Sequence, residues 1–128
     1  MKKIISTDAA PKAIGPYSQA VKAGPFLYIS GQIPLDPQTM TIKGTTIEEQ
    51  TRQVFANIKA ILSAAEMDFE HVVKVTVLLS DISDFKTVNE IYTQYFTQDF
   101  PARAAYQVAA LPMGAKIEIE TISYLESS

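Results

Sequence analysis

Residues 72–79 read Val72-Val73-Lys74-Val75-Thr76-Val77-Leu78-Leu79, with four valines and neither glycine nor proline. β-branched side chains fit a pleated backbone. Strand alternation then puts Val73, Val75, Val77 and Leu79 on one face, with Val72 and Leu78 on the other. The C-terminal segment Lys116–Leu125 repeats the pattern, with Ile117 and Ile119 opposite Ile122 and Tyr124. Strands apolar on both sides predict a sheet that must be covered twice.

Working outward, two helices supply one cover. Thr46-Ile47-Glu48-Glu49 has the form of a capping box. Ile47, Val54, Phe55, Ile58, Ile61 and Leu62 follow at helical spacing, which predicts a helix from about Ile47 to Ala65. A second helix starts near Ser83 or Asp84 with Phe85, Val88, Ile91, Tyr92, Tyr95 and Phe96 as its apolar stripe, and Pro101 lies beyond its end. Tyr17–Lys22 and Phe26–Ser30 flank the turn Ala23-Gly24-Pro25 and read as a hairpin. Ala104–Ala109 is a further strand, and Met40–Lys43 a short candidate. The order β-β-α-β-α-β-β predicts an α+β layer fold, one domain over residues 1–128, with both helices on one sheet face. The other face calls for a second copy of the chain, or for loops that cover it.

Composition narrows the chemistry. The 128 residues contain no cysteine and one histidine, His71, so disulfides, thiolate nucleophiles and His- or Cys-rich metal sites are excluded within the chain. No metal and no cofactor is expected. No apolar run reaches the roughly 20 residues that span a bilayer, and Met1–Ser6 is too short and polar for a signal peptide. These features predict a cytoplasmic protein without a membrane partner. Net charge is −3, the nine lysines are scattered, and the only arginines are Arg52 and Arg103. Such a chain has no basic track for nucleic acid.

Arg103 follows Phe100-Pro101-Ala102 at the head of an apolar strand, where a guanidinium is costly unless it meets an anion. It reads either as a bidentate clamp for a carboxylate or as one half of a salt bridge. Glu118 and Glu120 share a strand face and can serve proton transfer, or simply polar alternation. Gly15-Pro16 bends the chain and can aim Tyr17 into a cleft. Gly31, after Ser30, either allows close approach of a ligand to the backbone or marks a bulge or turn. Asn89 sits inside the second helix as a poor helix former with a side chain free to hydrogen-bond. His71, which has no partner signal, reads as structural.

On these residues the sequence resembles the RidA (YjgF) family of reactive-intermediate deaminases. The most specific elements are Pro101-Ala102-Arg103, Leu111-Pro112 and Ile117-Glu118-Ile119. Supporting elements are Ala13-Ile14-Gly15-Pro16-Tyr17, Ser30-Gly31-Gln32-Ile33-Pro34 and Val88-Asn89-Glu90-Ile91-Tyr92. The resemblance implies a chorismate-mutase-like fold, with sheets forming the inner barrel of a homotrimer and sites between subunits. It implies hydrolysis of 2-aminoacrylate-type enamines and 2-iminopropanoate or 2-iminobutanoate to 2-keto acids and ammonia, without a cofactor. In it Arg103 grips the substrate carboxylate and Glu118, rather than Glu120, handles water and protons. Tyr17, Ser30 and Asn89 line the cleft, while Gly31 and Ala105 present backbone. Many bacterial members have cysteine where this chain has Ala105, and lysine is common in place of Met113. The alternative is a non-catalytic ligand-binding or chaperone-like trimer. A chorismate mutase site, needing several cations, is poorly served by two arginines.

Overall fold

The computed structural model describes residues 1–126. Six strands form one sheet: β1 (Lys2–Ile5), β2 (Ala20–Ala23), β3 (Phe26–Gln32), β4 (Val72–Leu79), β5 (Ala102–Gln107) and β6 (Ile117–Tyr124). Their order across the sheet is β1-β2-β3-β6-β4-β5. Every neighbouring pair is antiparallel except β4 and β5. A parallel pair needs a long crossover, and α2 (Phe85–Tyr95) provides it; α1 (Ile47–Ala64) links β3 to β4.

The last strand made, β6, lies between β3 and β4. Its Ile117 and Ile119 are fully buried with Leu27 and Ile29 of β3 and Val75, Val77 and Leu79 of β4. Onto this face α1 packs Val54, Phe55, Ile58, Ile61 and Leu62, and α2 packs Val88, Ile91 and Tyr92. The periodicity of each helix dictates this, since its apolar stripe has only one face to cover. The Thr46–Glu49 capping box forms as expected: Thr46 Oγ1 accepts from the Glu49 amide at 3.1 Å, and Glu49 accepts from the Thr46 amide at 3.1 Å.

The other sheet face is uncovered in the single chain. Phe26, Tyr28, Val73 and Tyr106 are exposed, and Leu78, Ile122 and Tyr124 half-buried. The α+β layer architecture with both helices on one face is therefore as the sequence predicts.

Several boundaries differ. β1 had no sequence signal, because Lys2 and Lys3 interrupt its apolar residues; pairing with β2 makes it a strand. The hairpin's first arm begins at Ala20 rather than Tyr17, since residues 17–19 belong to a loop anchored by Gln19. Met40–Lys43 is no strand, and only the isolated bridge Leu35↔Ile42 forms. β5 begins at Ala102, so Arg103 lies inside the strand. That strand is an edge, not buried as expected. A one-residue bulge at Val73 shifts the register of β4 on β6. Val72 thereby joins Val75 and Val77 on the helix side and Val73 turns out, the reverse of strict alternation.

Truncating the shared core face is expected to cost far more than removing the cap. In urea denaturation at fixed protein concentration, Ile119→Ala should lose about 2–5 kcal/mol and Thr46→Ala about 1 kcal/mol. Comparable losses from the two would contradict the assignment of β6 as the centre of the core.

Candidate active site

A second bulge shapes the neighbourhood of Glu118. Between Ile29 and Gln32, β3 spends three residue steps where β6 spends two, from Thr121 to Ile119. Ile29 and Gln32 both stay buried, while Ser30 and Gly31 are pushed toward the outer face. There the Glu118 side chain lies across Gly31. A Cβ built on Gly31 would stand 2.9 Å from the Glu118 carboxyl carbon and would overlap one of its oxygens. Glycine is needed here for space, since its φ is not among the positive ones.

Tyr17 reaches the same hollow from the other side. Gly15, at φ +128°, permits the bend, and the Tyr17 amide donates back to the Gly15 carbonyl at 2.9 Å. Gln19, buried, holds this loop down. Its Oε1 accepts from the Thr7 amide at 2.7 Å, and its Nε2 donates to the Pro11 carbonyl at 2.8 Å. Tyr17, Gly31 and Glu118, with Lys12 and Pro112, line a hollow of about 260 Å³. Ser30 lies next door, in a cleft of about 410 Å³ shared with Tyr17, Lys74 and Glu120; its hydroxyl donates to the Ser18 carbonyl at 2.6 Å.

Arg103 is elsewhere. Its Nη1 donates to Asn89 Oδ1 at 2.7 Å. Its guanidinium carbon stands 4.7 Å from the ring centre of Tyr92 and 5.1 Å from that of Phe85. With Thr93, Phe100 and Pro101 it borders a second hollow of about 400 Å³. Among the described residues no carboxylate lies within salt-bridge distance of it; the sole ion pair is Arg52–Glu48 at 3.5 Å. Within one chain Arg103 is exposed and meets a neutral amide, and Glu118 is not among its ion-pair partners.

Register explains the separation. Arg103 pairs with Val75, which pairs with Thr121, and this row faces the helices. Glu118 pairs with Leu78, on the outward row. The two side chains project from opposite faces of the sheet, three residue rows apart, with β4 between their strands. Ala105 pairs with Val77 and shares the helix-side face with Arg103. The structure therefore gathers the sequence candidates into two groups, Tyr17, Ser30, Gly31 and Glu118 in one and Asn89, Arg103 and Ala105 in the other. His71 plays a local structural part, its Nδ1 accepting from the Asp68 amide at 2.9 Å. Residues missed from sequence are the buried amides Gln19, Gln50 and Asn57, whose roles depend on loop carbonyls distant in the chain. Phe85 and Tyr92 were read only as core.

Burial, reinforced by the neighbouring Glu120 charge, raises the Glu118 pKa above the usual carboxylate value. A carboxyl with a raised folded pKa favours folding below its unfolded pKa, and that contribution disappears as pH rises through the folded value. Glu118→Gln should therefore gain stability relative to the parent chain at neutral pH. The advantage should vanish as pH falls through the carboxylate range. Urea midpoints measured across that range test this; a Gln variant no more stable at pH 7 would refute a desolvated Glu118.

Comparison with known proteins gives the family. The profile of the family described as endoribonuclease L-PSP matches residues 7–125. A human protein named 2-iminobutanoate/2-iminopropanoate deaminase is 56% identical over 123 residues, spanning 96% of this chain and 90% of that one. The crystal structure of RidA from the Antarctic bacterium Psychrobacter sp. PAMC 21119 superposes with a TM-score of 0.92 at 50% identity, covering 96% of this chain and 99% of its own. That of E. coli TdcF with bound serine has a TM-score of 0.92 at 43% identity, over 97% and 99% of the two chains. The fold and this full-length similarity together place the chain in the endoribonuclease L-PSP family, the RidA (YjgF) family of Rid proteins.

Proposed function

We propose that this chain is a cofactor-independent deaminase that hydrolyses 2-iminopropanoate and 2-iminobutanoate, formed from their enamines, to 2-keto acids and ammonia. The observation that carries the reading is the Arg103 guanidinium, set by Asn89 yet without a carboxylate partner among the described residues. Relatives carrying the deaminase name at 54–56% identity support the reaction type, and the serine-bound E. coli relative supports a ligand of amino-acid size.

Because Arg103 and Glu118 face opposite ways, the active site takes one from each of two adjacent copies. A homotrimer with three such clefts fits the uncovered outer face. Arg103 grips the substrate carboxylate with two parallel N–H···O bonds. This places the C=N carbon over the Gly31 backbone, where Glu118 lies. Glu118 takes a proton from water as the oxygen adds to that carbon. Glu118 passes that proton to the nitrogen, giving a neutral carbinolamine, then moves the adduct's hydroxyl proton to the amine as the C–N bond breaks, releasing the 2-keto acid and ammonia. A raised pKa helps Glu118 take up each proton, since a more basic carboxylate accepts one more readily. Tyr17 and the Ala105 backbone close the cleft around the substrate. Orientation of an already reactive imine supplies much of the effect.

The test couples purified protein to a serine or threonine dehydratase and follows decay of the imine absorbance. Arg103→Ala should lose about 10²-fold in kcat/KM, chiefly through KM. Glu118→Gln should lose about 10²- to 10⁴-fold, chiefly in kcat. Mixing the two variants by co-refolding should restore activity, because roughly a quarter of the clefts then pair an intact Arg103 with an intact Glu118. Imine turnover absent from the parent protein, despite ligand binding, would leave a non-catalytic ligand-binding protein. Turnover without restoration on mixing would put both residues to work within one copy.

A further inference from the structure

Arg103 is held by more than Asn89. Its guanidinium carbon stands 4.7 Å from the Tyr92 ring centre and 5.1 Å from that of Phe85, within the range of cation–π attraction. Tyr92 is no free-standing shelf. Its ring centre is 4.6 Å from that of Phe96 and 6.3 Å from that of Phe55, and Phe55 is completely buried. A chain of packed aromatics thus runs from the middle of the core to the exposed cation. The Tyr92 hydroxyl is buried and finds no hydrogen-bond partner among the described residues. The contacts that place Tyr92 among the described residues are therefore those of its ring.

We propose that Phe85 and Tyr92 are positioning residues for Arg103, presetting its guanidinium so that the donors not used by Asn89 stay open to a carboxylate. An exposed arginine otherwise loses rotamer freedom when it binds an anion, and a preset one loses less. The kinetic part of the argument rests on the deaminase reading. The positioning itself does not, because it concerns the order of one side chain in the free protein.

The variants are Phe85→Leu, Tyr92→Leu and Tyr92→Phe, with Phe69→Leu as control. Phe69 contributes a ring to the same aromatic cluster, packed edge-on to Phe55 and Phe96, with no cation–π contact to Arg103. Three readouts separate positioning from general loosening: KM against kcat for imine decay, the Kd for 2-oxobutanoate by calorimetry, and ¹⁵N relaxation of the arginine Nε–H groups. The chain has two arginines, so Arg52→Lys assigns the spectrum. Each of Phe85→Leu and Tyr92→Leu should raise KM and Kd about 2- to 5-fold with kcat little changed. Both should increase the motion of the Arg103 Nε–H. Tyr92→Phe should match the parent in all three readouts, and Phe69→Leu should leave KM, Kd and Arg103 order unchanged. Should Tyr92→Leu fail to fold, the half-buried Phe85 carries the test. An Arg103 equally ordered in Phe85→Leu and the parent would overturn the proposal, as would an equal rise in Kd for Phe69→Leu. If the parent hydrolyses no imine, the reaction assignment falls while the relaxation measurement still decides on positioning.

Discussion

The pairing of β6 between β3 and β4 is the constraint on which the rest of the molecule depends. One strand has to finish the core with Ile117 and Ile119 and, on alternate residues, present Glu118 and Glu120 to the opposite face. A slip of one residue would bury both acids under the helices and expose both isoleucines. The register is therefore fixed by several interactions of different kinds. Core burial favours it, and the Lys116 amide donates to the buried Gln50 Oε1 at 2.9 Å. The bulge in β3 then sets Gly31 against the Glu118 carboxyl. The hydrophobic term that folds the chain and the geometry that aims the acid are consequences of the same alternation.

How far the sequence could be read follows from which interactions are local. Helical spacing and the Thr46–Glu49 box depend on residues three or four apart, and α1 ended one residue before the expected position. Strand existence was equally plain for β4 and β6, where β-branched residues repeat at period two, and for β3, which follows the turn Ala23-Gly24-Pro25. β1 was invisible because Lys2-Lys3-Ile4-Ile5 has no pattern of its own and becomes a strand through its neighbour. The bulge at Val73 also escaped, since an inserted residue reveals itself in the partner's register and not in its own strand; at Ser30–Gly31 the glycine left a bulge open as one of its readings.

Among site residues, chemistry was readable where a residue type was scarce or conformationally awkward. With two arginines to choose from and one preceded by Pro101-Ala102, Arg103 stood out. Asn89 stood out as a poor helix former, and its oxygen is the group that receives Arg103. What could not be read was the face. Arg103 was expected at the head of a buried strand. Yet β5 is an edge, and the parallel pairing Val75↔Arg103 turns the guanidinium to the helix side. Parallel or antiparallel partnership is decided by the crossover through α2, which no window of β5 reports. Phe85 and Tyr92 fill the same positions whether an apolar stripe only covers a sheet or also carries a cation on its rim.

Keeping the two charges on opposite faces has a chemical consequence. Were Glu118 within reach of Arg103 in its own chain, the pair would neutralise each other. A substrate carboxylate would then have to displace an internal carboxylate at high effective concentration. The same contact would lower the Glu118 pKa by favouring its ionised form, weakening it as the base that takes a proton from water. With an amide as its partner, the guanidinium keeps its charge uncompensated; with Gly31 beneath it and Glu120 nearby, the acid keeps its raised pKa. In the proposed assembly the two meet only across a cleft between copies, with the substrate's own carboxylate between them. The anion on the arginine is then supplied by the ligand, which is the condition for a clamp that binds tightly when substrate is present and leaves the acid free to move protons.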